Sequence, residues 1–490
     1  MRADTPLTGT RVGYNIVVVT LDQHAAGPAA RITPRLAKDF PGLSVTVHAA
    51  AEWAENPASL ARCKTALETA DIVVANLIFI EEHINAILPA LTAARARADA
   101  FVGVIADAQI VKLTKMGDLD MSKPASAAMA LLKKLKPTAK TSSNSGEKQM
   151  AMLRRLPKIL RFIPGKAQDL RAWFLAMQYW LGGSDDNIEQ MIRFLLGRYA
   201  NRKEWRGTVS KAPIEYPDCG LYHPDLPARI TTNLADLPRP AQVKATVGML
   251  MLRSYVLAGD TAHYDAVIRA FEAKGIACIP SFAGGLDGRP AINGYFQTAT
   301  GPRIDAMVSL TGFSLVGGPA YNDSPAAVAA LKALDVPYIA AHPLEFQTLG
   351  QWADTKSGLG PIETTMLIAL PEIDGATNPT VFAGRHGVDG CNGCAFKCKG
   401  NNEAKAMAPC HERVAVLADK VLRLASLRRS EVAKRKVAIV LYGFPPNAGA
   451  VGTAAYLSVF ESLFNTLNAM KAAGHDLTHL HRSMPCATLF

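Results

Sequence analysis

Four strand-like runs, each separated by one helical stretch, govern what the first hundred residues can become. Asn15–Leu21 reads NIVVVTL, Leu43–His48 alternates apolar and polar residues, Asp71–Ile80 reads DIVVANLIFI, and Phe101–Ile105 is a fourth run. Helical patterns fill 28–39, 57–69 and 82–97. A near-continuous apolar run such as 71–80 offers no polar face to water, so it belongs to a strand covered on both sides. Strands joined through single helices make right-handed crossovers, which predicts a parallel sheet between helical layers. Ligands on such sheets sit beyond the carboxyl ends of the strands, which places Asp22, Gln23 and His24 at a cleft rim. Residues of these types are more often plain loop residues than ligand contacts.

The expected fold class is multidomain α/β, with parallel-sheet βα domains and an inserted helical region. At 490 residues the chain exceeds one ordinary domain, and length alone predicts about three. An N-terminal α/β domain is expected over 1–135 and a flexible linker over 136–150, where Lys136–Lys148 is polar, rich in Ser and Thr, and aperiodic. A helical region and boundary follow over 151–240. Trp173, Tyr179 and Trp180 recur there at helical spacing, either as packed core or as the lining of a flat ligand's groove. Lys211–Pro240 is rich in proline and reads as the boundary. A second α/β domain is expected over 241–430, with strands near 246–252 and 277–280 and a helix near 261–273. From 431 to 490 the chain reads as the start of a further βα unit, with Val437–Leu441 (VAIVL) as its strand and a helix from about Thr453 to Ala473. No repeat of fixed period is apparent.

Bulk properties narrow the functional classes. Apolar residues make up 49% and charged residues 19%, enough for a filled core. No run reaches the roughly 18 to 20 apolar residues of a membrane span, and the N-terminus has no apolar stretch of the secretory kind. A cytoplasmic protein is expected. The net charge of +11 points to an acidic partner; much of it falls in 133–171 and 423–436 rather than in one tail, so nucleic acid is not indicated.

Chemistry concentrates near residue 400. Cys391, Cys394, Cys398 and Cys410 stand at C-x2-C-x3-C-x11-C spacing, with Gly390, Gly393 and Gly400 freeing the loop between them. Four converging thiolates repel one another unless a cation or cluster neutralises them. Three cysteines in one loop and a fourth from a distance suit a [4Fe–4S] cubane; zinc, with His411 as an alternative ligand, and free thiols stay open. Cys63, Cys219, Cys278 and Cys486 are scattered and read as small buried groups. The segment Phe444–Phe460 turns from a strand into a helix through Asn447, Gly449 and Gly452, with Thr453 at the cap; such a helix start is an anion site or a purely structural turn. No G-x-x-x-x-G-K-[ST] occurs, so nothing here indicates ATP binding. The loop Ala283–Pro290 offers Arg289 to a carboxylate or is a plain connector. His342, Glu345 and Gln347 are expected just after a strand, on the cleft side. Neither a Ser–His–Asp set nor H-E-x-x-H is present.

Three longer stretches carry a family resemblance: FPPNAGAVGTAAYLSVFESLFNTLNAMKAAG, IALPEIDGATNPTVFAGR (Ile368–Arg385) and GLYHPDLP (Gly220–Pro227). Together they resemble the large-subunit family of magnesium chelatases, in its bacteriochlorophyll-type form, across about Asn15 to Gly474. The FPPNAG-type loop favours magnesium over the cobalt-inserting relatives, and the cysteine set resembles one in bacterial members. The family runs to more than twice this length, so the resemblance implies an N-terminal portion that ends one helix into a βα unit, with 475–490 unlike the family.

The resemblance implies a subunit that holds protoporphyrin IX for Mg2+ insertion, a ligase forming nitrogen–metal bonds in bacteriochlorophyll synthesis. ATP is then spent by two smaller partner subunits, one of the AAA+ type. Insertion requires stripping water from Mg2+, which dehydrates reluctantly, and removing two pyrrole protons. A flat macrocycle with two propionates wants an apolar groove rimmed by basic side chains; Arg253, Arg289 and Arg385 are the expected rim, with His342 and Glu345 on the cleft side. Two other classes compete: an iron–sulfur or redox-sensing protein built on Cys391–Cys410, and a porphyrin carrier or subunit competitor without chelatase activity.

Overall fold

The computed structural model describes residues 13–21, 25–53, 56–123, 156–318, 321–387, 389–400, 406–441 and 458–478. The chain divides into two units, Met1–Ala418 and Asp419–Phe490. The first unit is built on two sheets. In the first sheet β1 (Tyr14–Thr20), β2 (Leu43–Ala49), β3 (Ile72–Asn76), β4 (Ala100–Val104), β5 (Lys115–Met116) and β6 (Leu119–Asp120) lie in the order β2-β1-β3-β4-β5-β6. The first four run parallel, as the alternation predicts; the last two turn back antiparallel. β3 stops at Asn76, short of the predicted run, because Leu77 takes a φ of 54° and turns the chain.

Helices cover both faces of this sheet. On one side α2 (Pro57–Glu68) and α3 (Glu81–Arg97) bury Cys63, Leu67, Ile87 and Leu91 against Val17, Val19 and Val73. α2 starts cleanly: the Asn56 side chain accepts the Ser59 N–H, and Pro57 sits where an N–H would have no helical partner. On the other side α1 (Ala26–Asp39) is joined by α4 (Lys166–Gly182) and α5 (Asp185–Tyr199), whose Trp173, Tyr179 and Trp180 belong to the same buried cluster as Ile16, Val18 and Val74. The core reading of these aromatics is the one the structure shows. The Trp173 indole N–H donates to the Gly103 carbonyl at 2.9 Å. Gly103 must be glycine, since a Cβ there would lie 2.7 Å from the Ile110 carbonyl oxygen.

The second sheet has the order β14-β13-β12-β11-β9-β10-β7-β8. Its strands are β7 (Cys219–Tyr222), β8 (Ile230–Thr231), β9 (Ala245–Leu252), β10 (Ile276–Ala283), β11 (Ala306–Ser309), β12 (Tyr338–Thr348), β13 (Thr377–Arg385) and β14 (Ala408–Pro409). β9 to β13 run parallel, flanked by antiparallel β7, β8 and β14. Lys211–Pro240, read as a boundary, therefore also supplies β7 and β8. Its prolines flank Cys219–Tyr222 rather than interrupt it, so that segment keeps its donors. His342, Glu345 and Gln347 lie inside β12, not after it. Pro343 makes the run look finished, but β12 absorbs it with register shifts against β13 and continues to Thr348. From β9 the chain passes through α6 (Ala262–Ala273) to β10 on one side and then crosses to β11 on the other. That reversal opens a crevice at the carboxyl ends, where ligands of such sheets bind.

In the second unit Val437–Leu441 is not the predicted strand. Val440 is 71% exposed, and among the described residues no strand pairs with the run. Its composition fits a buried strand, but a strand persists only with a neighbour to complete its hydrogen bonds. A helix spans Val459–Ala472. Asp22, Gln23, His24, the 136–150 stretch, Asn447, Gly449, Gly452 and Thr453 lie outside the described residues. Among the described residues no helix is long and apolar enough to cross a membrane.

Candidate functional site

The carboxyl ends of β9, β12 and β13 gather a set of buried ionisable groups. Arg385, the last residue of β13, places its Nη2 3.2 Å from Glu345 Oε2 on β12 and donates from Nη1 to the Glu345 carbonyl at 3.2 Å. The Tyr255 hydroxyl donates to Glu345 Oε1 at 2.6 Å. Burial works against the Arg385 charge, yet Glu345, Tyr255 and Asp260 more than restore it, and its pKa stands above the ordinary value. Asp260, just before α6, accepts the Met407 N–H on both oxygens, at 3.0 and 3.3 Å. Burial raises its carboxyl to about 6 against the pull of that N–H and of Arg385. A carboxyl in that range takes and releases a proton near neutral pH.

Two imidazoles complete the set. His263 is fully buried among the rings of Tyr255, Tyr264 and Phe382, with centroids 5.4, 3.9 and 5.9 Å away, and neither ring nitrogen has a hydrogen-bond partner. Burial, aided by the Arg385 charge, lowers it to about 3, so it is neutral. His342 is likewise buried without a partner for either nitrogen, and burial lowers it to about 4. A rim role does not suit it.

The other predicted arginines are committed elsewhere. Arg253 donates to the backbone carbonyls of Pro217, Leu181 and Tyr216 at 2.9 to 3.2 Å and pins the 216–217 segment to the end of α4. Arg289 closes on Asp287 in its own loop, Nη2 to Oδ2 at 2.6 Å. Thus Glu345 and Arg385 are brought together, and Arg253 and Arg289 are not. Tyr255, Asp260 and His263 escaped sequence reasoning: each is a single polar residue in or beside a helix, without a motif. The small crevice between β9 and β11, lined by Leu250, Leu252, Asp287, Ser309, Thr311 and Ser314, lies where the strand order reverses.

Beside this cluster stands the cysteine loop. β14 pairs with β13, and the Cys410 N–H donates to the Phe382 carbonyl at 2.9 Å, so the fourth cysteine is fixed to the sheet. The other three sit on a tight hairpin in which the Cys391 N–H donates to the Cys398 carbonyl at 2.9 Å. Two close approaches make glycine obligatory: a Cβ on Gly350 would lie 2.2 Å from the Gly390 oxygen, and one on Gly390, at φ +72°, 2.2 Å from the Cys398 oxygen. Cys391, Cys398 and Cys410 pack in one small buried cluster, and burial raises the Cys398 and Cys410 thiols. Among the described residues no three His, Cys, Asp or Glu side chains are drawn tightly enough around one point to hold a single ion.

Comparison with known proteins now gives this site a family. Residues 177–485 match the family described as CobN/Magnesium Chelatase, and residues 15–174 match a domain of unknown function, DUF3479. The chain belongs to the CobN/magnesium chelatase family. It is 71% identical over 468 residues to the magnesium-chelatase H subunit of Cereibacter sphaeroides, a match covering 95% of this chain and 39% of that protein. The corresponding H subunit of Rhodobacter capsulatus is 68% identical over 474 residues, covering 96% and 40%. The chain therefore spans well under half the length of these relatives. Among solved structures, the catalytic subunit of cobaltochelatase from Mycobacterium tuberculosis aligns with a TM-score of 0.49 and 18% identity over 94% of this chain and 31% of its own. The resemblance read from the three motifs and the α/β class are both borne out. The site residues lie within 177–485, while most of the first sheet falls in the domain without an assigned role.

Proposed function

We propose that this chain is a porphyrin-handling portion of a magnesium chelatase large subunit acting on protoporphyrin IX and Mg2+ in bacteriochlorophyll synthesis in the cytoplasm. ATP is spent by two partner subunits, one of the AAA+ type. The observation that carries this reading is the Arg385–Glu345–Tyr255 cluster beside Asp260, at the carboxyl ends of the family-matched sheet. Arg385 presents a guanidinium suited to a propionate, as the fork geometry of arginine favours carboxylates. Glu345, held by Arg385 and Tyr255, orients that guanidinium. Asp260 is the group whose proton affinity suits accepting a pyrrole proton near neutral pH.

The cysteine set supports a [4Fe–4S] cluster held by Cys391, Cys394, Cys398 and Cys410. What supports this reading is the C-x2-C-x3-C-x11-C spacing, with three cysteines on one hairpin and the fourth fixed to the sheet through Phe382. Such a cluster would supply electron-transfer or structural chemistry at this loop.

The test is a titration of the anaerobically purified chain with deuteroporphyrin, read by tryptophan quenching and by absorbance in the iron–sulfur range. Saturable quenching that weakens about tenfold in Arg385→Ala, the loss of one good polar contact, is the expected result. No quenching in the parent chain overturns the porphyrin reading for this portion. A visible absorption unchanged in Cys394→Ala removes the cluster.

A further inference from the structure

We propose that Cys391 and Cys398 are a redox-modification site that closes to a reversible disulfide, independently of any metal held by the four thiols. The two residues face each other as an antiparallel bridge, and the Cys391 N–H donates to the Cys398 carbonyl at 2.9 Å. Facing residues of an antiparallel bridge hold their Cα atoms about 4.5 to 5.5 Å apart, within the roughly 4.4–6.8 Å range that a disulfide spans. The facing is built in. Gly390 and its contact with the Cys398 carbonyl draw the hairpin shut, and Lys397 takes a φ of 44° to complete the turn. Cys394 lies inside that turn rather than across from either residue, and Cys410 reaches the same buried cluster from the neighbouring strand. Cys391 and Cys398 are the pair whose backbones face each other as a bridge. Cys398 is partly exposed, so a small oxidant reaches it, while burial and the neighbouring thiols raise its thiol and slow that oxidation.

The chemistry needs only a peroxide. One thiol is oxidised to a sulfenic acid as the peroxide O–O bond breaks and one water leaves. The second sulfur then forms the S–S bond and displaces the sulfenic oxygen, which departs with a proton as the second water. Cβ atoms directly opposite each other in an antiparallel pair stand about 4.5 to 5.5 Å apart, beyond the roughly 3.8 Å mean of disulfides. The bond therefore closes against some strain, and strained, accessible disulfides are the readily reduced kind. Once closed, it withholds two of the four thiols from any ligand, so the oxidised loop is incompetent for metal until reduced.

The test uses the full chain, purified anaerobically, freed of metal with a chelator and treated with one equivalent of hydrogen peroxide. Thiol titration and peptide mass mapping then report the product. The expected result is a loss of two thiols, restored by dithiothreitol, with a linked Cys391–Cys398 peptide that persists in Cys394→Ala and disappears in Cys398→Ser. Iron uptake from ferrous iron and sulfide falls with the linked fraction and returns on reduction. A linkage mapping to Cys391–Cys394 or to Cys410, or no paired loss of thiols, overturns the proposal.

Discussion

The two sheets of the first unit share a parallel core with a reversal of strand order, yet one carboxylate packed beside each is held in opposite ways. In the first, Asp169 receives the Arg198 guanidinium, the Tyr199 hydroxyl and the Asp118 N–H, all at 2.9 Å. In the second, Asp260 is met by one backbone N–H and is left with its carboxyl near 6, while His263 and His342 are buried with both ring nitrogens unpartnered. A fully partnered network rigidifies a fold; an under-partnered one keeps its groups available for a ligand or a proton. The contrast between Asp169 and Asp260 points to the second sheet as the place for proton chemistry.

The strongest way to break that division is to damage the first sheet alone. Trp173 is 3% exposed and carries both packing and the bond to Gly103. Trp173→Ala is expected to destabilise the chain by about 3 to 5 kcal/mol in urea unfolding. Deuteroporphyrin affinity under native conditions should stay unchanged. A parallel loss of affinity in still-folded protein would mean that the first sheet contributes to the site.

Damage to the second sheet should invert that pattern. Arg385→Ala leaves Glu345 without its cation in a mostly buried place, at a cost of about 2 kcal/mol after allowing for the exposure that remains. Porphyrin affinity should fall with it, and Arg385→Lys should restore charge and stability but only part of the affinity, because the planar fork is lost. An Arg385→Ala protein with undiminished affinity would reduce the pair to a structural brace.

Much of the first sheet was legible because apolar runs and helical spacing are local properties. The same logic failed at Val437–Leu441, where composition describes a strand but pairing is a property of the neighbours. It also failed at Pro343, a residue that ends most strands and here sits in a tolerated bulge. At the site, Glu345 and Arg385 were legible as polar residues near strand ends, and the cysteines as a spacing. Asp260 and Tyr255 were not, since their meaning comes from Met407 and Glu345, which lie 147 and 90 residues away in the chain. Arg253 and Arg289 misled for the complementary reason: sequence shows a charge but not the carbonyls or the aspartate that consume it.

The smallest predicted effect is also the most specific to the second sheet, and its sign can be worked out. Asp260 has its carboxyl raised from 3.8 to about 6, so between those values the folded chain binds that proton more readily than the unfolded chain. Its contribution to stability is therefore present at low pH and is lost as pH rises through this window. His263 and His342, lowered from 6.5 to about 3 and about 4, act in reverse: the unfolded chain takes up their protons first, so their contribution is lost as pH falls below 6.5. In the parent protein Asp260 thus offsets part of the acid destabilisation that the histidines cause. Asp260→Asn keeps an oxygen for the Met407 N–H but cannot bind the proton. Its urea midpoint should fall more steeply than the parent's between about pH 6 and pH 4. Equal slopes would mean that Asp260 is already ionised throughout that range in the folded chain, and the electrostatic contrast between the two sheets would then rest on the histidines alone.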